Sequence, residues 1–149
     1  MGVYQTVVVG TDGSDTSFRA VDRAAALARD SGALLLIVSA YEPSDPADLG
    51  RASDILGAES YQLVGSAPAE DNLSRARDRA TTAGATNVET LAVQGNPVDA
   101  LPHVAEDRKA DLIVVGNRGL NSLSGRILGS VPSDVARRSG VDVLIVHTT

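Results

Sequence analysis

The sequence predicts a single α/β domain, residues 1–149, built on an open, Rossmann-like parallel sheet of five strands in the order 3-2-1-4-5, with helices on both faces. Segments typical of strands alternate with segments typical of helices along the whole chain. The strand segments are continuous runs of Val, Ile and Leu, which indicates strands buried on both faces. A length of 149 residues with 43% hydrophobic residues fits one compact domain, and right-handed crossovers leave few strand arrangements.

Two strands and one helix are predicted before the first long connection. The β-branched run 3–9 ends at Gly10 and predicts strand one. A turn at 11–15 follows, after which apolar residues recur at helical spacing until Gly32 provides a stop. The run ALLLIVSA, residues 33–40, predicts a second buried strand.

The longest connection of the chain is 42–68. It contains three prolines and three glycines, together with an amphipathic patch. A connection of this length is typical of a lid, an interface segment or a partly disordered segment, and the sequence leaves all three possibilities open.

Three further helices and three further strands are predicted in the rest of the chain. Apolar residues at helical spacing predict the first of these helices, and a proline in the first turn favours each of the other two. The strands are again β-branched runs. In chain order the elements are a helix from about Leu73 closed by Gly84, strand 88–93, a helix from Pro97 to about 108, strand 111–116, a helix from Ser130 to about 139, and strand 142–147.

Charge and cysteine content exclude several classes of function. Lys and Arg number 13 against 19 Asp and Glu, and the resulting net charge of −6 opposes binding to nucleic acid or to an anionic membrane. The absence of cysteine excludes disulfides, thiol catalysis and cysteine-ligated zinc. Neither a signal peptide nor an apolar run of about 20 residues is recognisable, so we expect a cytoplasmic protein that is not anchored in a membrane.

The predicted strand order places a ligand crevice between strands one and four. In such sheets ligands bind beyond the carboxyl ends of the strands at this switch point, here Gly10 to Asp12 and Val115 to Gly119. The segment 116–130, GNRGLNSLSGRILGS, leads from strand four into a helix whose free N–H groups and Ser130 hydroxyl favour an anion such as phosphate. Turning and capping without a ligand is the alternative reading of these glycines, and neither a Walker A motif nor a dinucleotide fingerprint is present.

Four residues of this segment, Gly116, Gly119, Gly129 and Ser130, follow the pattern G-x2-G-x9-G-S. With the opening VVVGTDGS and the closing DVLIV, the chain resembles the universal stress protein family over essentially its whole length. The resemblance is to the subclass with this motif, which binds adenine nucleotides. It implies the same five-stranded α/β fold and a role in stress response.

The resemblance also implies contacts for individual residues. Asp12 is expected to approach the adenine or ribose, with an Asx turn or helix cap as the alternative role of its carboxylate. Ala40 is expected to contact the base through its main chain. Arg118 and Arg126 are the cations of the loop, and we favour Arg118 as the partner of a phosphate. The predicted nucleotide-binding residues are Gly10, Thr11, Asp12, Ala40, Val115, Gly116, Arg118, Gly119, Gly129, Ser130 and Val131.

The motif leaves the nucleotide and the mode of action open. ATP with Mg²⁺, AMP and cyclic AMP all remain possible, as do a ligand-dependent switch, sensor or buffer, a weak ATPase or phosphotransferase, and a dimeric scaffold without a required ligand. Hydrolysis would need metal ligands and a water-orienting group, so we expect slow turnover at most and predict neither catalytic residues nor a protein-held metal. The resemblance further implies a homodimer formed through the last strand, Asp142 to His147.

Overall fold

The computed structural model describes residues 3–41, 67–117 and 130–148, apart from the side chains of residues 67, 130 and 131. The predicted connection 42–68 therefore lies outside the described residues except for its last two. In chain order the described elements are β1 (Thr6–Gly10), α1 (Asp15–Ser31), β2 (Leu34–Tyr41), α2 (Ala67–Thr82), β3 (Val88–Gln94), α3 (Pro97–Asp107), β4 (Leu112–Gly116), α4 (Ser130–Arg138) and β5 (Asp142–Val146).

The strands form one sheet in the order β3-β2-β1-β4-β5, and every pairing is parallel. Strand β1 lies in the middle, where Val8 pairs with Leu36 of β2 on one side and with Ile113 of β4 on the other. The chain continues from β1 outward through β2 to β3, and then returns to the opposite side of β1 for β4 and β5. This topology confirms the predicted fold class and places the switch point between β1 and β4.

Helices cover both faces of the sheet. Val7 and Val9 pack into an apolar cluster with α1 and α2, whereas Val8 between them packs into a second cluster with α3 and α4. Since successive side chains of a strand point to opposite faces, both faces of β1 must be apolar. This is why the strand appears in the sequence as an uninterrupted run of apolar residues.

The beginning of β1 differs from the prediction. The strand begins at Thr6, and Val3 is 85% exposed. The Asp111 carboxylate accepts hydrogen bonds from the backbone N–H of Gln5, at 3.0 Å, and of Thr6, at 3.1 Å. The Asp111 side chain therefore binds the backbone just before β1, in a stretch that the prediction includes in the strand.

Other boundaries shift by a few residues. Helix α2 begins at Ala67, ahead of the predicted start at Leu73, and Pro68 lies in its first turn, where proline is tolerated. Strand β5 ends at Val146, one residue earlier than predicted. None of the helices in the described ranges is long and apolar enough to cross a membrane.

Candidate functional site

A cleft of about 160 Å³ opens at the carboxyl ends of the strands. Strands β1 and β2 end at it, α2 borders it, and α3 begins beside it. Two residues predicted to bind a nucleotide, Asp12 and Ala40, lie in its wall. The complete lining is Asp12, Ser39, Ala40, Tyr41, Pro68, Ala69, Asn72 and Pro97.

The backbone N–H and C=O of Ala40 point to the β1 side of β2, at a position beyond the last residue of β1 that pairs with β2. The carbonyl oxygen of Val38, the last β2 residue paired with β1, accepts a hydrogen bond from the N–H of Thr11 at 2.9 Å. The carbonyl oxygen of Tyr41 points the other way and accepts from Gly95 at 2.7 Å. Because the backbone groups of successive strand residues alternate in direction, the N–H and C=O of Ala40 point to the same side as those of Val38. They offer a donor and an acceptor at the cleft.

Asp12 stabilises the turn between β1 and α1. Its Oδ1 accepts hydrogen bonds from the backbone N–H of Ser14, at 2.9 Å, and from the Ser14 hydroxyl, at 2.5 Å. Ser14 is in turn the N-cap of α1, since its Oγ accepts from the N–H of Ser17 at 3.2 Å. The turn role that the sequence allowed for Asp12 is thus present, and the same residue also lies in the wall of the cleft.

Thr11 faces the interior rather than the cleft. It is fully buried, and its hydroxyl lies 2.8 Å from the hydroxyl of Ser17 and accepts a hydrogen bond from the N–H of Gly13 at 3.1 Å. These bonds hold the end of β1 against the first turn of α1. Its neighbour Gly10 is buried at the end of β1. The ligand contacts predicted for both residues stay predictions.

Gly116, a motif position at the end of β4, lies close to the side chain of Thr148. A Cβ atom built on Gly116 would lie 3.2 Å from the Cγ2 of Thr148, closer than most such contacts in proteins. A side chain at this position would therefore require the Thr148 side chain to shift by a few tenths of an ångström. The preceding Val115 is 1% exposed and packs with α3 and α4 beneath the sheet edge.

The other predicted site residues belong to the segment 116–130, which we call the glycine segment. Arg118, Gly119, Arg126 and Gly129 lie outside the described residues. Helix α4 begins at Ser130, as predicted, but the side chains of residues 130 and 131 are not described. Their phosphate contacts stay predictions.

Asn72 is the main cleft residue that sequence reasoning missed. Its side-chain N–H₂ donates to the carbonyl oxygen of Asp12 at 3.2 Å, and its Oδ1 accepts from Arg75 at 3.0 Å. The helical spacing did not include it, because the first apolar residue of the predicted helix was Leu73. Pro97 could have been found, since a helix that follows a parallel strand begins at the carboxyl edge of the sheet.

The described part of the chain contains no group of three His, Asp or Glu side chains placed to hold a metal ion. A cation that accompanied a nucleotide would therefore depend there on ligands from the nucleotide itself, on water, or on isolated side chains.

Comparisons with known proteins identify the family of the chain. A model of the universal stress protein family matches residues 3–147. A universal stress protein of Mycobacterium tuberculosis is 57% identical over 149 residues, covering 100% of both chains. A solved universal stress protein in complex with cAMP is 52% identical, covers 98% of each chain and has a TM-score of 0.76. The Archaeoglobus fulgidus universal stress protein in complex with dAMP is 27% identical, covers 96% of this chain and 98% of its own, and has a TM-score of 0.70.

Proposed function

The chain belongs to the universal stress protein family, and on that premise we propose that it is a regulatory protein that binds an adenine nucleotide beyond the carboxyl ends of β1, β2 and β4. One observation carries the proposal: Asp12 and Ala40, singled out from sequence as nucleotide contacts, line the same cleft at the carboxyl ends of β1 and β2. Two structurally similar relatives were solved with cAMP and with dAMP, both of which carry adenine.

The cleft is suited to the base rather than to a whole nucleotide. Pockets for complete small ligands measure about 300–1,000 Å³, whereas this cleft measures about 160 Å³. The backbone N–H and C=O of Ala40 would pair with the ring nitrogens and exocyclic amine at the edge of adenine, which are acceptors and a donor respectively. Pro68, Ala69 and Pro97 supply apolar surface for the faces of the ring.

The rest of the ligand would extend toward β4. We expect the Asp12 carboxylate to accept a hydrogen bond from a ribose hydroxyl, in keeping with acidic residues in comparable folds. The phosphates would lie at the N-terminus of α4, against Gly116, Gly119, Gly129, Ser130 and Val131, with Arg118 as a cationic partner. Cyclic AMP needs neutralisation of a single negative charge, while ATP would bring Mg²⁺ with it.

Binding can regulate the protein only if the nucleotide prefers one of its conformational or assembly states. A switch, a sensor and a buffer all satisfy this condition and need no chemical step. We therefore propose ligand binding as the primary activity. The cytoplasmic location and the stress-response role remain predictions.

The experiment that tests the proposal is calorimetric titration of nucleotide-stripped protein with ATP, ADP, AMP and cAMP, each with and without Mg²⁺. Preference for cAMP without a metal requirement would indicate a sensor or buffer. Mg²⁺-dependent preference for ATP would indicate a triphosphate switch and justify a hydrolysis assay. Binding of none of the four would refute the proposal and favour a scaffold.

A glycine substitution tests the position of the site. We expect Gly119→Val or Gly129→Val to abolish nucleotide binding while the protein remains folded, because a branched side chain would obstruct the approach of phosphate to the main chain. Gly140→Val is the matched control, since Gly140 is exposed and a Cβ there would meet nothing within 4 Å. Unchanged affinity in a folded Gly119 or Gly129 variant would remove the glycine segment from the site.

Strand β5 is also proposed as the dimer interface. In the described part of the sheet β5 pairs with β4 on one side and forms the sheet edge on the other. Its central residues Val143, Leu144 and Ile145 are half-buried and apolar, and pairing with a second copy would cover them. Sedimentation equilibrium tests this directly, since a species with the mass of one chain at micromolar concentration would contradict it.

A further inference from the structure

Ser39 places a hydroxyl in the wall of the cleft. The residue lies near the end of β2 and is 2% exposed. In the part of the chain that the structure describes, no residue forms a hydrogen bond with this hydroxyl. Every side-chain nitrogen or oxygen of the described residues that is fully shielded from solvent does have a partner. The small exposed surface of Ser39 therefore includes its hydroxyl, which opens into the cleft.

The face of β2 that carries this hydroxyl is apolar further along the strand. Leu35 and Ile37 are fully buried and pack into the cluster with α1 and α2. Because alternate residues of a strand face the same side, the Ser39 side chain points to that side as well. There α2 contributes the buried Ala69 to the cleft wall. A hydroxyl in such surroundings costs free energy unless water or a ligand provides a hydrogen bond.

Asn72, the polar residue that α2 contributes to the cleft wall, is engaged by the protein itself. Its Nδ2 donates to the carbonyl oxygen of Asp12 at 3.2 Å, and its Oδ1 accepts from Arg75 at 3.0 Å. Ser39 differs, because its hydroxyl can still donate one hydrogen bond and accept others. A ligand that enters the cleft can therefore use the Ser39 hydroxyl without breaking a bond of the described structure.

We propose that Ser39 is a specificity-determining residue, whose hydroxyl donates a hydrogen bond to a ring nitrogen of the adenine base, N3 or N7. This inference rests on the proposed function, in which the backbone of Ala40 pairs with the edge of adenine that carries the amine. N1 belongs to that edge, so N3 and N7 are the ring acceptors that remain. Ser39 adjoins Ala40 in β2 and lies in the wall of the same cleft. A base without a nitrogen at the contacted position would leave the hydroxyl unpaired, and it should therefore bind more weakly.

Ser39→Ala and two modified nucleotides test the proposal together. Wild type and variant are titrated with whichever of ATP, ADP, AMP and cAMP binds best, and with its 3-deaza and 7-deaza forms, in which C–H replaces the ring nitrogen. We expect Ser39→Ala to raise the Kd of the natural nucleotide about threefold to tenfold, the equivalent of one net hydrogen bond. One of the two analogues should bind the wild type more weakly by a similar factor, yet bind Ser39→Ala as well as the natural nucleotide does. An unchanged Kd in Ser39→Ala, or analogues that lose affinity equally in both proteins, would overturn the proposal.

Thermal unfolding without nucleotide tests whether the hydroxyl has a structural role instead. Ser39→Ala should not lower the melting temperature, because the hydroxyl gives up no hydrogen bond within the described residues. Ser139→Ala is the matched control just before β5, at the opposite edge of the sheet. The Ser139 hydroxyl donates to the carbonyl oxygen of Val141 at 3.2 Å and accepts from its N–H at 3.1 Å. We expect Ser139→Ala to lower the melting temperature and to leave every Kd unchanged. The same behaviour in Ser39→Ala would show a structural hydroxyl and contradict the proposal.

The wild-type titrations separate this inference from the proposed function. If the wild type binds none of the four nucleotides, the proposed function is refuted and the role of Ser39 fails with it. If the wild type binds a nucleotide and Ser39→Ala binds it equally well, the proposed function stands and only the role of Ser39 is refuted.

Discussion

Replacing Gly13 with alanine should destabilise the protein through two separable effects. Gly13 has φ of +84°, a conformation that costs a residue with a side chain about 1–2 kcal/mol. A Cβ atom there would also lie 2.5 Å from Cγ and 2.7 Å from Nδ2 of Asn72. Asn72 would have to move away, which breaks its hydrogen bond to the Asp12 carbonyl and adds about 1 kcal/mol. We expect a total loss of about 2–3 kcal/mol.

Gly32→Ala is the control that isolates the second effect. Gly32 also has a positive φ, +66°, but a Cβ there would meet nothing within 4 Å, so its loss should be limited to the conformational cost of about 1–2 kcal/mol. Urea unfolding followed by circular dichroism gives both free energies, with equal m-values expected. Because Asn72 lines the cleft, only Gly13→Ala should also weaken nucleotide binding. A Gly13→Ala protein no less stable than Gly32→Ala would refute the reasoning about Asn72.

Two further predictions concern the amino edge of the sheet. Asp111→Ala should cost about 2 kcal/mol of unfolding free energy in urea, because the N–H groups of Gln5 and Thr6 lose a charged acceptor, and a loss under about 0.5 kcal/mol would contradict this. The hydrogen bond to Asp142 raises the pKa of Tyr4 above its ordinary value of about 10, so the stability it gives is complete below about pH 10 and is lost as pH rises through the higher pKa of the folded state. The stability gap between wild type and Tyr4→Phe should therefore stay constant up to about pH 10 and narrow as the pH rises above that value, and a gap independent of pH would contradict the assignment.

The fold was predictable because its determinants are local in sequence. Buried parallel strands require uninterrupted apolar runs, and helices between them require apolar spacing and stop signals. Gly32, for example, ends α1 with φ of +66°. One error occurred where a distant residue decides a boundary. Val3 belongs to an apolar run, yet Asp111, more than a hundred positions away, holds the chain before β1.

The candidate site was predictable only where it follows from topology and motif. Asp12 and Ala40 lie at strand ends, and the strand order brings those ends to one edge of the sheet. Asn72 could not be found in the same way. Its role depends on how a helix lies over a turn, and this feature leaves no local pattern in the sequence.

The polar side chains at the carboxyl edge of the sheet and the main-chain groups there have different roles. Every side-chain nitrogen and oxygen in the described residues that is fully shielded from solvent has a hydrogen-bond partner. Thr11 and Asn117 in particular direct their polar atoms to other parts of the protein, where they fix the ends of β1 and β4. On the proposed function, such side chains set the geometry while main-chain groups such as those of Ala40 contact the ligand. A ligand can contact the main chain only if it approaches closely, and glycine, which has no side chain, allows that approach. A binding motif made of glycines fits this mode of recognition.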